Sequence, residues 1–235
     1  MATLLAVTTL EYMPAHPAGP RHEDLVHPAA LGEPPADPES LAPMVWPQTA
    51  RRVQGELQVA GVPVTQAVAQ HGSPLFILDE QHFRDAARAY VQAYAGAAVY
   101  YAAKAFLSAR VARWATEEGL RIDVCTLGEL EVALRAGVPG ERLLFHGNNK
   151  SELEMRRALL AGGNRIVVDS FTEIERLCAL AGQLGVRPQV LVRVTVGVEA
   201  HTHEFIATAH EDQKFGLALA GGVAAAAAKA DVHDP

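Results

Sequence analysis

Five short apolar runs, set at a nearly constant step, constrain the fold of this chain more than any other feature. They are AAVYYAAK (97–104), LRIDVC (120–125), RLLFHG (142–147), RIVVDS (165–170) and QVLVRVTV (189–196), and each precedes a helix-like segment. With Tyr100, Ile122, Leu144, Val167 and Val192 as midpoints, the steps are 22, 22, 23 and 25 residues. That is the period of a repeated strand–helix unit, and nearly continuous apolar strands so spaced predict a parallel sheet covered by helices. Each run acquires its polar group near its C-terminal end: Lys104, Asp123, His146, Asp169 with Ser170, and Arg193 with Thr195. In a parallel barrel that end is the active-site face, but a doubly wound sheet also binds ligands there, so placement alone leaves both architectures open. No GxGxxG follows the first strand, which weakens the dinucleotide-binding alternative.

Upstream, residues 14–47 hold nine of the fourteen prolines with little hydrophobic periodicity between them. This predicts a flexible, disordered leader over 1–50 and a folded portion over 51–235, with order beginning near Leu57. GSPLFILDE (72–80) predicts a turn followed by a short strand, and 80–95 a helix with Phe83, Ala87, Tyr90, Val91 and Tyr94 on one side. A formal net charge of −7 argues against a nucleic-acid or anionic-membrane surface and favours a small-molecule partner. Cys125 and Cys178, far apart and outside any CxxC pair, suggest neither a disulfide framework nor a zinc site, and a reducing cytoplasm fits. The N-terminal apolar stretch has no Lys or Arg before Arg21, unlike a secretory signal, and no run is long and apolar enough to span a bilayer.

Among the chemistry-bearing residues, Lys104 in YYAAKA ends an apolar run, where partial desolvation would lower its pKa and free the amine to condense with an aldehyde. The plainer alternative is a strand-end lysine reaching solvent. In QVLVRVTV, Val190, Val192, Val194 and Val196 share a face suited to helix packing, so Arg193 points the other way with Leu191 and Thr195 and needs an anion. His201, His203, Glu204, His210 and Glu211 match neither HExxH nor a closed zinc set, so no metal is expected. Cys125 reads as a small core residue rather than a nucleophile.

YYAAKA resembles the Tyr-Ala-x-Lys-Ala signature of the barrel-type pyridoxal-phosphate decarboxylases, the ornithine, arginine and diaminopimelate decarboxylase group, related to alanine racemase. RIDVCTLGEL (121–130), FHGNNK (145–150), VDSFTEIERL (168–177) and VRVTVGVEAHTHEFIATAHEDQKFG (192–216) continue the likeness in register, the last of them and FHGNNK pointing to the diaminopimelate branch. The likeness spans roughly residues 41–229, including LAPMVWP and GSPLFILDE.

This resemblance implies an α/β fold, a TIM-like (β/α)8 barrel of which about five of the eight strand–helix units are present. It implies pyridoxal 5'-phosphate as cofactor, Lys104 as the catalytic lysine that holds it, and Ala102, Asp123, His146 and Arg193 beside it in the cofactor pocket. For Asp123 the alternative is a solvated strand-end carboxylate, for His146 a structural histidine, and for Arg193 a barrel-filling salt bridge. The implied reaction is decarboxylation of meso-diaminopimelate to L-lysine, in a cytoplasmic homodimer. The family's His-Ser-His-x-Gly-Ser, glycine-triplet and Glu-Pro-Gly-Arg segments have no counterpart here, nor does the cysteine-bearing C-terminal β domain. A truncated, inactive product is therefore the expectation. Rivals are another decarboxylase or racemase of the same barrel family, and a non-catalytic pyridoxal-phosphate binder.

Overall fold

A computed structural model describes residue 37 and residues 40–43, 45–162, 165–196 and 215–229. Most of the proline-rich leader therefore lies outside the described residues, as do His201, His203, Glu204, His210, Glu211 and Lys214.

The described chain opens on a small antiparallel sheet of β1 (Arg51–Val53), β2 (Glu56–Val59) and β3 (Val62–Pro63). Its two turns place Gln54–Gly55 and Ala60–Gly61 at positive φ, the backbone twist that two-residue hairpins require. Helix α1 (Val64–His71) follows, and then residues 72–79, expected to hold a strand, run extended without a ladder partner. Phe76, Ile77 and Leu78 are accordingly exposed there, Phe76 almost completely. Asp79 caps helix α2 (Glu80–Ala93) by accepting from the His82 N–H at 3.1 Å, and its other oxygen takes the Thr49 hydroxyl. On α2, Ala87, Phe83 and Val91 pack inward as expected, whereas Tyr90 and Tyr94 are exposed. The apolar stripe is thus narrower than the spacing suggested.

The rest is a regular alternation: β4 (Tyr100–Ala102), α3 (Ala109–Glu117), β5 (Arg121–Val124), α4 (Leu127–Arg135), β6 (Leu143–Phe145), α5 (Glu152–Ala161), β7 (Arg165–Val168), α6 (Phe171–Leu184) and β8 (Gln189–Val192). The five strands fall on the five apolar runs. All pair in parallel, in the order β4-β5-β6-β7-β8, so every strand lies beside its sequence neighbour. A doubly wound sheet would reverse direction at a switch point; this sheet does not, and sequential parallel order is the barrel arrangement. Right-handed crossovers then put successive helices on one face of the sheet.

That face carries the core. Ile122, Val124, Leu143, Phe145, Ile166 and Val168 are buried beneath the helices together with Leu130, Met155 and Leu177. Each such side chain contributes about 1.5–3 kcal/mol relative to exposure. Helices start where hydroxyls cap them: Ser108, Thr126, Ser151 and Ser170 each accept from a backbone N–H three residues on.

Strand β8 ends at Val192, and after Arg193 β9 (Val194–Thr195) leaves the main sheet to pair with β10 (Leu217–Ala218). Val190 and Val192 keep their helix-side packing, but Val194 and Val196 are exposed rather than sharing it, beyond the point where the strand leaves the main sheet. Helix α7 (Val223–Lys229) lies against β8 and β10. No helix among the described residues is long and apolar enough to cross a membrane.

Candidate active site

The strands' C-terminal ends converge on a cavity of about 570 Å³, within the range of small-molecule sites. Its wall includes Ala102, Lys104, Asp123, His146 and Arg193, so the five residues singled out by sequence come together. Each arrives there for a local reason.

Beyond β4 the chain enters a 3-10 turn (Ala103–Ala105) whose Ala103 is buried in the core, which turns the next side chain, Lys104, toward the cavity. Lys104 is exposed, not covered by the apolar residues that precede it. The sequence holds four lysines, and the others have different settings. Lys150 is buried in an ion pair, Lys229 lies exposed on α7, and Lys214 is outside the described residues.

On β5, Ile122 and Val124 take the helix face, which leaves Asp123 and Cys125 for the cavity. Cys125 is therefore a cavity-wall residue, not the core residue expected from its apolar character. Burial, helped by the Asp123 and Glu129 carboxylates, pushes its thiol above the ordinary range, so it is a poor nucleophile. Oδ2 of Asp123 lies 3.4 Å from Nδ1 of His146, while Oδ1 is buried without a hydrogen-bond partner. A buried carboxylate oxygen left unpaired calls for an explanation, and a bound polar group in the cavity supplies one.

His146 follows β6, its N–H extending the ladder by donating to the Val124 carbonyl at 2.8 Å. Gly147, at φ 120, then swings the chain back over the rim, a conformation L side chains rarely adopt.

Arg193 is held on two sides. Its Nη1 is 3.3 Å from Oδ1 of buried Asp169, and its guanidinium lies 4.3 Å from the centre of the Phe215 ring. The anion that its position demanded is thus supplied in part by the protein, and its cavity-facing side stays available to a ligand. Gly216 makes this possible: a Cβ there would sit 3.0 Å from the Thr195 hydroxyl and 3.1 Å from Arg193, and its N–H donates to Asp169 at 2.8 Å.

Cys125, Lys150, Glu154 and Phe215 also line the cavity and were not anticipated as site residues. Strand parity could have found Cys125, two residues beyond Asp123. Glu154 was visible as the fourth residue of a Ser-x-x-Glu helix start. Burial pushes its carboxyl up, but hydrogen bonds from the Ser151 N–H and hydroxyl and from the Leu127 N–H outweigh it and leave it below the ordinary range.

The sequentially ordered parallel sheet thus ends in a cavity that gathers a lysine, an arginine and a buried carboxylate oxygen without a hydrogen-bond partner, groups that could hold an anionic carbonyl compound. The model of the pyridoxal-dependent decarboxylase family, pyridoxal binding domain, matches residues 80–234, and the chain belongs to this family. It is 59% identical over 191 residues to the diaminopimelate decarboxylase of Mycobacterium tuberculosis H37Rv, covering 80% of this chain and 43% of that one. Over 222 residues it is 52% identical to the Mycobacterium leprae diaminopimelate decarboxylase, covering 92% and 47%. Among solved structures, the diaminopimelate decarboxylase of M. jannaschii in co-complex with L-lysine aligns with a TM-score of 0.70 at 27% identity, over 78% of this chain and 44% of that one. The chain spans less than half the length of these relatives.

Proposed function

We propose that this chain forms the cofactor-holding wall of a pyridoxal-phosphate-dependent decarboxylase that converts meso-diaminopimelate to L-lysine and carbon dioxide. The observation that carries the proposal is the convergence on one cavity of Lys104, Arg193 and the partnerless buried oxygen of Asp123. Strong similarity to diaminopimelate decarboxylases supports the substrate. The complete protein acts as a cytoplasmic homodimer on a small molecule, with no nucleic-acid partner.

When bound, pyridoxal phosphate supplies the electron sink that lets the substrate carboxylate depart. The described residues divide the remaining work. Lys104 has the only side-chain amine on the described cavity wall that is not buried in an ion pair, and it is the residue that would hold the cofactor through its aldehyde. Asp123 offers Oδ1 as acceptor to a cofactor or substrate donor, while Oδ2 keeps the His146 ring oriented against the wall. Arg193 presents the free side of its guanidinium to an anionic group, its charge already steadied by Asp169.

Treating the purified chain with pyridoxal phosphate and borohydride is expected to label the peptide containing YYAAKAF, and Lys104→Ala to abolish the label. A label that survives this substitution, or maps to Lys150 or Lys214, would sink the assignment. Arg193→Lys separates the roles of that residue, because it keeps a positive charge beside Asp169 but loses the planar fork and the Phe215 stack. It is expected to weaken pyridoxal-phosphate binding by about 1.5–3 kcal/mol while the melting temperature stays near the parent's. Parental affinity with a lowered melting temperature would assign Arg193 to structure alone.

A further inference from the structure

Three consecutive strand-to-helix turns at the cavity rim share the pattern Ser/Thr-x-x-Glu: Thr126 to Glu129, Ser151 to Glu154 and Ser170 to Glu173. In each, the hydroxyl caps the helix by accepting from the glutamate's own N–H. A capping box would return the glutamate carboxylate to the N–H of the capping residue. Of the three, Ser151 and Glu154 close that box, and Glu154 also reaches back one turn to accept from Leu127 N–H at 3.0 Å. Glu129 accepts instead from Cys125 N–H.

Glu173 departs furthest from the pattern. Its Oε2 accepts from Asp169 N–H at 2.8 Å, and its Oε1 takes Lys150 Nζ at 2.9 Å, the two side chains being 7% and 1% exposed. Lys150 Nζ also donates to the Gly147 carbonyl at 2.6 Å. One carboxylate therefore joins the turn after β6 to the turn after β7. Glu173 is absent from the cavity wall, but it touches the residue whose carboxylate holds Arg193 and, through Lys150, the loop that carries His146.

We infer that Glu173 is a positioning residue for the cavity: through Lys150 it fixes the 146–150 loop, and through the Asp169 backbone it fixes the support of Arg193. Stability alone is a poor reason for this pair, since a buried ion pair is often no more stabilising than apolar side chains of the same volume. What apolar side chains could not do is hydrogen-bond two separate stretches of main chain at once. The Gly147 carbonyl and the Asp169 N–H both depend on this pair, and Gly147 has the unusual backbone that most needs restraint.

The inference rests on the proposed cofactor site, and its test reads loop order as well as cofactor binding. In the full 235-residue chain, Glu173→Gln alone leaves the Lys150 ammonium buried without its counter-charge and should lower the melting temperature. Adding Lys150→Met removes that charge, and the amide oxygen introduced at position 173 still accepts from Asp169 N–H, so the melting temperature should return toward the parent's. The tether to Gly147 is gone in this double variant. Hydrogen exchange over 146–150 should therefore accelerate, and the pyridoxal phosphate concentration for half-maximal borohydride labelling of Lys104 should rise by about tenfold to a hundredfold, the scale of effect of a small misplacement. Parental exchange and parental labelling in the double variant would overturn the inference. Should that variant not fold, Glu173→Asp keeps the charge without the reach, and parental exchange there overturns it equally. A parent chain that takes no label at Lys104 would overturn the proposed function instead, and unaltered loop exchange in the variants would then decide against Glu173 by itself.

Discussion

Residues 1–235 on their own are expected to release no carbon dioxide from meso-diaminopimelate. Five strands in sequence make an arc, and β4 and β8 each have a main-sheet neighbour on one side only among the described residues. Their outer edges offer unpaired backbone groups, and the inner face is open enough to leave Leu191 exposed. The exposed Phe76, Ile77 and Leu78 add a contiguous apolar stretch in the extended segment before α2. Such surfaces drive association in dilute solution, so light scattering should report species larger than a monomer alongside the lack of turnover. The assay is carbon dioxide release beside the M. tuberculosis relative. Turnover within about tenfold of that relative, a barrier difference near 1.4 kcal/mol, would mean that the described wall already suffices for catalysis.

The largest expected loss of stability from one small substitution is at Gly140. The 3-10 turn Gly140–Arg142 leads into β6 where the end of α5 crosses it, and a Cβ at Gly140 would lie 1.7 Å from the Gly162 carbonyl oxygen and 2.5 Å from that of Ala161. Both obstacles are main chain, so neither can rotate aside. Gly140→Ala should cost about 3 kcal/mol in urea unfolding, the upper end of overpacking effects. Gly182 is the matched control: it lies inside α6, and a methyl added there would meet nothing within 4 Å, so Gly182→Ala should gain about 0.5–1 kcal/mol. Equal small effects at the two positions would mean that the α5 terminus gives way.

What could be read from the sequence follows the range of the interaction involved. The five strands were legible because each is an apolar run bounded by turn signals, and their polar ends were legible because strand parity is local. Strand order was not: barrel and doubly wound sheets both put Lys104, Asp123 and Arg193 at strand ends, and only the pairing distinguishes them. The β1–β3 sheet escaped notice because its tight turns use Gln54 and Ala60 where Asn or Asp would announce positive φ. GSPLFILDE looked like a strand because its residues suit one, yet a strand needs a partner, and no local pattern reports whether one exists. The Lys150–Glu173 pair illustrates the same limit. Ser170-x-x-Glu173 was in plain view, but that its carboxylate would bypass the cap for a lysine 23 residues earlier depends on two turns meeting in space.

The sequential strand order also bears on how the chain acquires its shape. Each main-sheet pairing joins residues only about 21 to 24 positions apart, as in Tyr100 with Arg121 and Arg165 with Gln189. Loops of that size close at modest entropic cost, and low contact order favours fast folding. Every new strand can dock on the edge left by the one before it, so the sheet can grow from its N-terminal side while the ribosome is still delivering the rest. Until a partner covers it, however, the growing edge stays adhesive, and the interval between strands is when a chaperone has most to do.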